Sequence, residues 1–206
     1  MKELISLLIP SLLETLYMLS ISTVFTVLFG FPLGVVLVIT DKNHILPNNS
    51  LNTILSNIIN LMRSLPFVIL MISIIPLTRL IVGTTIGTTA AIVPLIIAAT
   101  PFFARIVETS LKEVDFGVIE ASISMGATPF QIITKVLIPE AMPSLILGIT
   151  ITLINILGYS AMAGVVGGGG LGDLAIRYGY HRFQTHVMIA TVLLLVAIVQ
   201  IIQSLG

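Results

Sequence analysis

Charged residues interrupt this chain only at wide intervals. None falls within residues 15–40, 64–78, 80–104, 141–172 or 183–206. A helix needs about 20 mostly apolar residues to cross roughly 30 Å of hydrocarbon. The uninterrupted stretches therefore predict five membrane spans, over about 14–39, 57–78, 85–104, 142–165 and 184–205. The second has the shortest apolar part, because Arg63 and Pro66 fall in its first half. Arg63 belongs near the interface, where a long cationic side chain can snorkel to water. Four spans plus a re-entrant segment is the alternative reading of the same stretch.

Composition points the same way. Charged residues make up 9% of the 206 positions, against roughly 25% in soluble domains. Apolar residues make up 56%, and mean hydropathy is +1.15. There is too little polar surface to coat a soluble globule, and far too much hydrophobicity for disorder. The predicted fold class is an all-α integral membrane protein with about five transmembrane helices. Net charge is zero and no basic block exists, which excludes the electrostatic footprint of a nucleic-acid binder. The absence of Cys removes disulfides, thiolate metal sites and Cys nucleophiles. No cleavable signal peptide is expected: Lys2 and Glu3 open the chain, and the apolar stretch after them lacks a small-x-small cleavage site.

Thr, Ser, Gly and Pro recur within the spans, as at Phe31-Pro32 and Pro94. A helix that only anchors a protein in lipid has little use for them. Small residues let membrane helices approach closely, and Pro is tolerated where neighbours satisfy the freed carbonyl. Gly30-x-x-x-Gly34 and Gly83-x-x-x-Gly87 fit the small-residue packing motif, although such pairs also arise by chance in Gly-rich segments. Five spans put the termini on opposite sides. Lys2, Arg79, Arg177 and Arg182 fall on the N-terminal side, and Lys42, Arg63, Arg105, Lys112 and Lys135 on the other. Four cations against five leave the orientation open.

Residues 105–141 form the one long polar loop and hold eight of the charges: Arg105, Glu108, Lys112, Glu113, Asp115, Glu120, Lys135 and Glu140. A connection longer than about 15 residues is usually functional or disordered, and this one carries helical punctuation. Asp115 can cap a helix over about 116–125, and Gly126 fits the left-handed position after its end. Thr128, Pro129 and Gln131 spell a second start with a capping box. Pro139 is expected to end that helix a residue or two earlier, and Pro143 to open the fourth span. Two short, mostly uncharged helices in water need something to bury them. They either rest on lipid headgroups or insert into a partner.

The same residues carry a family resemblance. Glu120-Ala121-Ser122, three residues, Gly126-Ala127, and then Val136-Leu137-Ile138-Pro139 resemble the EAA loop of bacterial ABC-importer permeases. That pattern runs E-A-A, three residues, G, nine residues, I, any residue, L, P. Ser122, Val136 and Ile138 depart from it, each by a small or isosteric exchange. Arg63-Ser64-Leu65-Pro66-Phe67, Ile81-Val82-Gly83-Thr84 and Gly158-Tyr159-Ser160-Ala161-Met162-Ala163-Gly164 leading to Gly167–Asp173 are similar to the methionine-importer branch. The resemblance covers essentially the whole chain. It implies a type I importer permease for methionine (D- or L-) or related compounds. Residues 1–206 would be a single permease domain, with 105–141 as its cytoplasmic coupling loop. Glu120, Ala121, Ser122, Gly126, Ala127, Ile138 and Pro139 would be the residues that meet the ATPase. The implied partners are a second copy of the chain, two copies of a cytoplasmic ATP-binding subunit, an extracytoplasmic substrate-binding lipoprotein, and membrane lipid. The implied chain is non-catalytic and holds no cofactor, with ATP and Mg on the partner ATPase. It lies in the bacterial inner membrane, N-terminus outside and C-terminus cytoplasmic.

Other chemistry is thinly supported. A Walker loop ends Gly-Lys-Ser/Thr because the Lys reaches the outer phosphates. Gly167–Gly172 has no Lys and is followed by Asp173, so it reads as a tight turn at a membrane exit. An intramembrane Ser protease would pair Ser160 with His181 or His186, but the familiar motif has Gly after the Ser where this chain has Ala161. His44, His181 and His186 lack metal-ligand spacing, and no metal site is expected. Tyr159 and Met162 are three apart and share a helix face, with Ser160 one position round. A polarizable thioether suits a soft, sulfur-bearing guest, so Tyr159, Ser160 and Met162 are candidates for the translocation path; packing between helices is the alternative for Met162. The rival function, a self-sufficient secondary transporter or channel, predicts ionisable residues inside the spans, and the span centres hold none.

Overall fold

The computed structural model describes residues 2–206. Met1 and the side chains of Lys2 and Glu3 lie outside the described residues, and with them the Lys2 contribution to the charge count. Every regular element among the described residues is helical. In chain order they are α1 (Lys2–Ile39), α2 (Asn49–Ser64), α3 (Phe67–Ser73), α4 (Ile75–Val82), α5 (Thr88–Lys112), α6 (Phe116–Ser124), α7 (Pro129–Ile132), α8 (Ile138–Glu140), α9 (Met142–Ala163), α10 (Gly170–Leu174) and α11 (Thr185–Leu205). π-Helical turns occupy Ile133–Leu137 and Ala175–Tyr180, and a 3-10 turn Gly164–Val166.

Among the described residues, four stretches are long and apolar enough to cross a membrane: Leu4–Ile39, Thr88–Lys112, Met142–Val166 and Thr185–Leu205. The predicted second span, 57–78, is not one continuous helix. It breaks between Ser64 and Phe67, since Pro66 disfavours helical backbone at the residue before it. Only as a broken pair can α2 and α3 supply a fifth crossing. The third span also runs past its predicted end at 104 to Lys112. The charges at 105, 108 and 112 therefore sit on a helix face and not in a loop.

The chain divides into two compact units. The first comprises residues up to 26, 65–99 and 150–206. Its core is built from Met18 and Leu19 of α1, Phe67 and Met71 of α3, Leu95 and Ala99 of α5, and Ile156, Leu157 and Ala163 of α9. Hydroxyls within it turn back on their own helices. Thr15 donates to the Ser11 carbonyl, and Thr191 to that of Val187. Such bonds satisfy a hydroxyl without water.

The second unit comprises residues 27–64 and 100–149. Gly30 and Gly34 lie at a close contact between α1 and α5. A Cβ at Gly34 would lie 2.5 Å from Cβ of Val107 and 2.6 Å from the Ala104 carbonyl oxygen. That glycine pair does pack helices, as its spacing suggested. Gly83 and Gly87 do not: both have positive φ and face open space, so they shape the turns flanking α4 and α5.

Candidate functional site

The loop after α5 belongs to the second unit, and its caps and its glycine bend are where the sequence puts them. The Asp115 side chain accepts from the Gly117 N–H at 2.6 Å, starting α6. The helix ends in a Schellman arrangement: Ala127 N–H donates to the Ser122 carbonyl, Gly126 N–H to that of Ile123, and Gly126 adopts φ +80°. Thr128 and Gln131 form the capping box of α7. Pro139 does not end the helix. A π turn over Ile133–Leu137, in which the Ile138 N–H reaches the Ile133 carbonyl, widens the ladder just before the proline, and helical backbone continues to Glu140.

The question of what covers this apolar loop is half answered by its packing. Ile119, Ile132 and Leu137 are buried against Val35 and Val38 of α1 and Val107 and Leu111 of α5. The other face remains open. Met125 is 81% and Phe130 73% exposed, one on each side of the Gly126 bend. Glu120 and Ala121 are exposed, and none of the described ion pairs involves Glu120. Ser122 is buried and donates to the Val118 carbonyl. Ile138 is half-buried and Pro139 exposed.

At the root of the loop lies a set of charges whose joint arrangement the sequence reading did not find. Lys112 Nζ donates to Asp41 Oδ2 at 2.8 Å and to Glu108 Oε1 at 2.9 Å. Glu108 Oε2 accepts from Arg105 Nη1, and Arg105 Nη2 donates to Asn60 Oδ1 at 3.0 Å and to Ser56 of α2. The signal was present on α5, where Arg105, Glu108 and Lys112 stand three and four residues apart and so share a face. Beside Asp41 and Lys112 a cavity of about 320 Å³ is bounded by His44, Val114, Phe116 and Ile119. The hydrogen bond from Lys112 holds the Asp41 carboxyl below its ordinary value of 3.8. The stability this pair supplies is therefore complete above that value, and is lost only as pH falls through the still lower folded one. Burial holds the His44 imidazole below its ordinary 6.5, and its Nδ1 has no partner among the described residues.

The candidate path residues lie in the first unit, near the end of α9. The Tyr159 ring stacks on Phe67, centroids 4.6 Å apart and planes 6° from parallel. Ser160 is buried and donates to the Leu157 carbonyl. Met162 is 48% exposed. The glycine-rich segment that follows is tightly fitted. Gly167, Gly169 and Gly170 have positive φ, and a Cβ on Gly164 would lie 2.2 Å from the Asp173 nitrogen.

Glu14 of α1, which sequence reading passed over, accepts from the Gly170 N–H at 2.7 Å, and Thr15 Oγ1 accepts from Leu171 at 2.8 Å. Two side chains from the start of the protein thus cap α10. No sequence signal links positions so far apart. Glu14 and Thr15 already occupy two of the backbone donors that a phosphate would need at this turn. The isolated chain is accordingly expected to take no specific label from a photoreactive ATP analogue; labelling that excess ATP competes away would contradict this. Glu14→Leu should lower the melting temperature in detergent, with a loss of about 1 kcal/mol for one partly exposed hydrogen bond. Glu14→Gln, which keeps an acceptor, should lose less.

Together the helices and the capped loop define an all-helical, multi-pass membrane protein that presents a structured two-helix element outside its spans. The family described as "Binding-protein-dependent transport system inner membrane component" matches residues 30–205. The chain belongs to this family, and is a multi-pass permease of the inner membrane. It is 56% identical over 200 residues to the "Probable D-methionine transport system permease protein MetI" of Vibrio cholerae serotype O1, covering 97% of this chain and 89% of that one. It is 52% identical over 158 residues to the D-methionine transport system permease protein MetI of Escherichia coli K12, covering 77% and 73%. Among solved structures it matches an inward-facing MetNI methionine ABC transporter in its native crystal form, with a TM-score of 0.98 and 48% identity over 100% of this chain and 95% of that one.

Proposed function

We propose that residues 1–206 form one permease domain of an ATP-driven importer of methionine or a close derivative, and that residues 105–141 couple it to a separate ATPase. The observation that carries the substrate reading is the 56% identity across 97% of the chain with a relative named for D-methionine transport. The coupling reading rests on the loop. It is rigidly capped and packed on one face, and it offers Met125, Phe130 and Glu120 on the other. An exposed apolar bend on a well-built support is what a partner cleft would grip.

In this reading Glu120, Ala121, Ser122, Gly126, Ala127, Ile138 and Pro139 form the coupling element, and Tyr159, Ser160 and Met162 belong to the path. The working assembly has two copies of this chain, two cytoplasmic ATP-binding subunits holding ATP and Mg, and an extracytoplasmic binding lipoprotein. The N-terminus lies outside and the C-terminus in the cytoplasm. ATP binding draws the two ATPases together and carries the two loops with them, and the spans then open outward to receive substrate. Hydrolysis resets them. The free energy comes from the partner, and this chain supplies the path and the mechanical link.

The test is to purify the tagged chain in detergent, identify what accompanies it, and reconstitute the result. An ATPase present one-to-one, and methionine uptake that requires both ATP and that subunit, are expected. A chain that moves methionine alone in liposomes would overturn the proposal.

A further inference from the structure

We infer that Glu108 is a positioning residue for the coupling loop, the centre of a charged strut that sets where α6 stands. The inference rests on the coupling role proposed above. Glu108 is only 9% exposed and spends each carboxylate oxygen on a different cation, Oε1 on Lys112 and Oε2 on Arg105. Through Lys112 it reaches Asp41 in the turn after α1, and through Arg105 it reaches Ser56 and Asn60 of α2. One carboxylate thereby fixes three elements at the point where the loop departs. Lys112 is the last residue of α5, and Asp115, three residues on, caps α6.

The surroundings suit a part that bears load and does not merely fill space. An open recess of about 320 Å³ is lined both by Asp41 and Lys112 of the strut and by Phe116 and Ile119 of α6. Ile119 is buried in the core but Phe116, in the first turn of α6, is exposed, so packing resists a shift of that turn from one side only. The ionic strut is what resists that shift when a partner pulls the loop. The outer pair, Asp41 with Lys112, is more than two-fifths exposed on both side chains. An exposed pair adds little to stability, so breaking it should leave the protein folded while loosening the link.

The experiment compares ATP hydrolysis with methionine uptake in vesicles holding the assembled transporter, for Glu108→Gln, Lys112→Met and Lys112→Arg. Uptake per ATP hydrolysed is expected to fall about three- to tenfold in the first two, as charge-assisted bonds are lost. Lys112→Arg, which keeps the charge and the reach, should stay within about twofold of wild type. Equal, proportionate losses of uptake, hydrolysis and assembled complex would mean a purely structural role and overturn the inference, as would an unchanged ratio in both variants. Glu120→Ala and Gly126→Val are run alongside. If those two uncouple while Glu108→Gln and Lys112→Met do not, the strut alone is refuted; if all four behave as wild type, the coupling reading fails with it.

Discussion

Gly126→Val is expected to leave the permease inserted in the membrane but to weaken its hold on the ATPase, so that hydrolysis continues with little uptake. The reason is backbone geometry. Gly126 has φ +80°, and its N–H and that of Ala127 close the end of α6. A left-handed backbone costs an L-residue roughly 1–2 kcal/mol, and more when the side chain is β-branched. A Cβ at this position meets nothing within 4 Å in the chain itself. The cost is therefore conformational and local, and falls on the angle between α6 and α7 while leaving the core beneath untouched. Gly126→Asn separates two causes, because Asn tolerates the left-handed region. If Asn restores coupling, the bend matters; if Asn fails like Val, the partner approaches the backbone too closely for any side chain. Glu120→Ala should act in the same direction but more mildly, since at most it would remove one charge-assisted bond to a basic residue of the partner, worth about 1.5–3 kcal/mol. The measurements are uptake and hydrolysis in reconstituted vesicles, with membrane expression as the control. Normal coupling in both variants would leave the loop a surface decoration.

The loop was legible because its signals are local. A cap, a capping box and a left-handed glycine each act within a few residues. Asp115, Thr128 with Gln131, and Gly126 therefore appear in the structure where the sequence puts them. Pro139 misled because the rule that proline ends a helix assumes an α ladder, and a π turn ahead of it supplies another way through. The long apolar stretches announced the spans, but charge was a poor marker of their ends. Arg105, Glu108 and Lys112 satisfy one another on the helix, so α5 continues past the first of them. What could not be read were meetings between distant residues. Glu14 with Gly170 and Lys112 with Asp41 depend on how the helices pack, and nothing in either neighbourhood names the other. The same limit explains why one Gly-x-x-x-Gly pair packs and the other turns, for spacing alone does not distinguish them.

Met162→Asp is expected to stop uptake while the complex remains assembled, and to do so whichever way methionine binds along the path. Met162 lies one turn after Tyr159 on α9 and is 48% exposed, whereas Tyr159 is stacked on Phe67 and the Ser160 hydroxyl is turned onto its own helix. Of the three candidates Met162 is the most exposed; Tyr159 is half-buried and Ser160 buried. A carboxylate on that surface would face a desolvation cost of at most about 2.5–3.5 kcal/mol, the value at a span's centre. It would also replace a soft contact suited to a sulfur-bearing guest. Met162→Leu, similar in volume but without the sulfur, should assemble normally and transport with reduced apparent affinity. The absence of native Cys permits a direct reading: Met162→Cys is the only thiol in the chain. Its modification by a small thiol reagent should be slowed by methionine if the position lines the path, and be indifferent to methionine if it faces lipid or a neighbouring helix. Loss of assembly in Met162→Asp together with unprotected labelling of Met162→Cys would make Met162 a packing residue and remove it from the path.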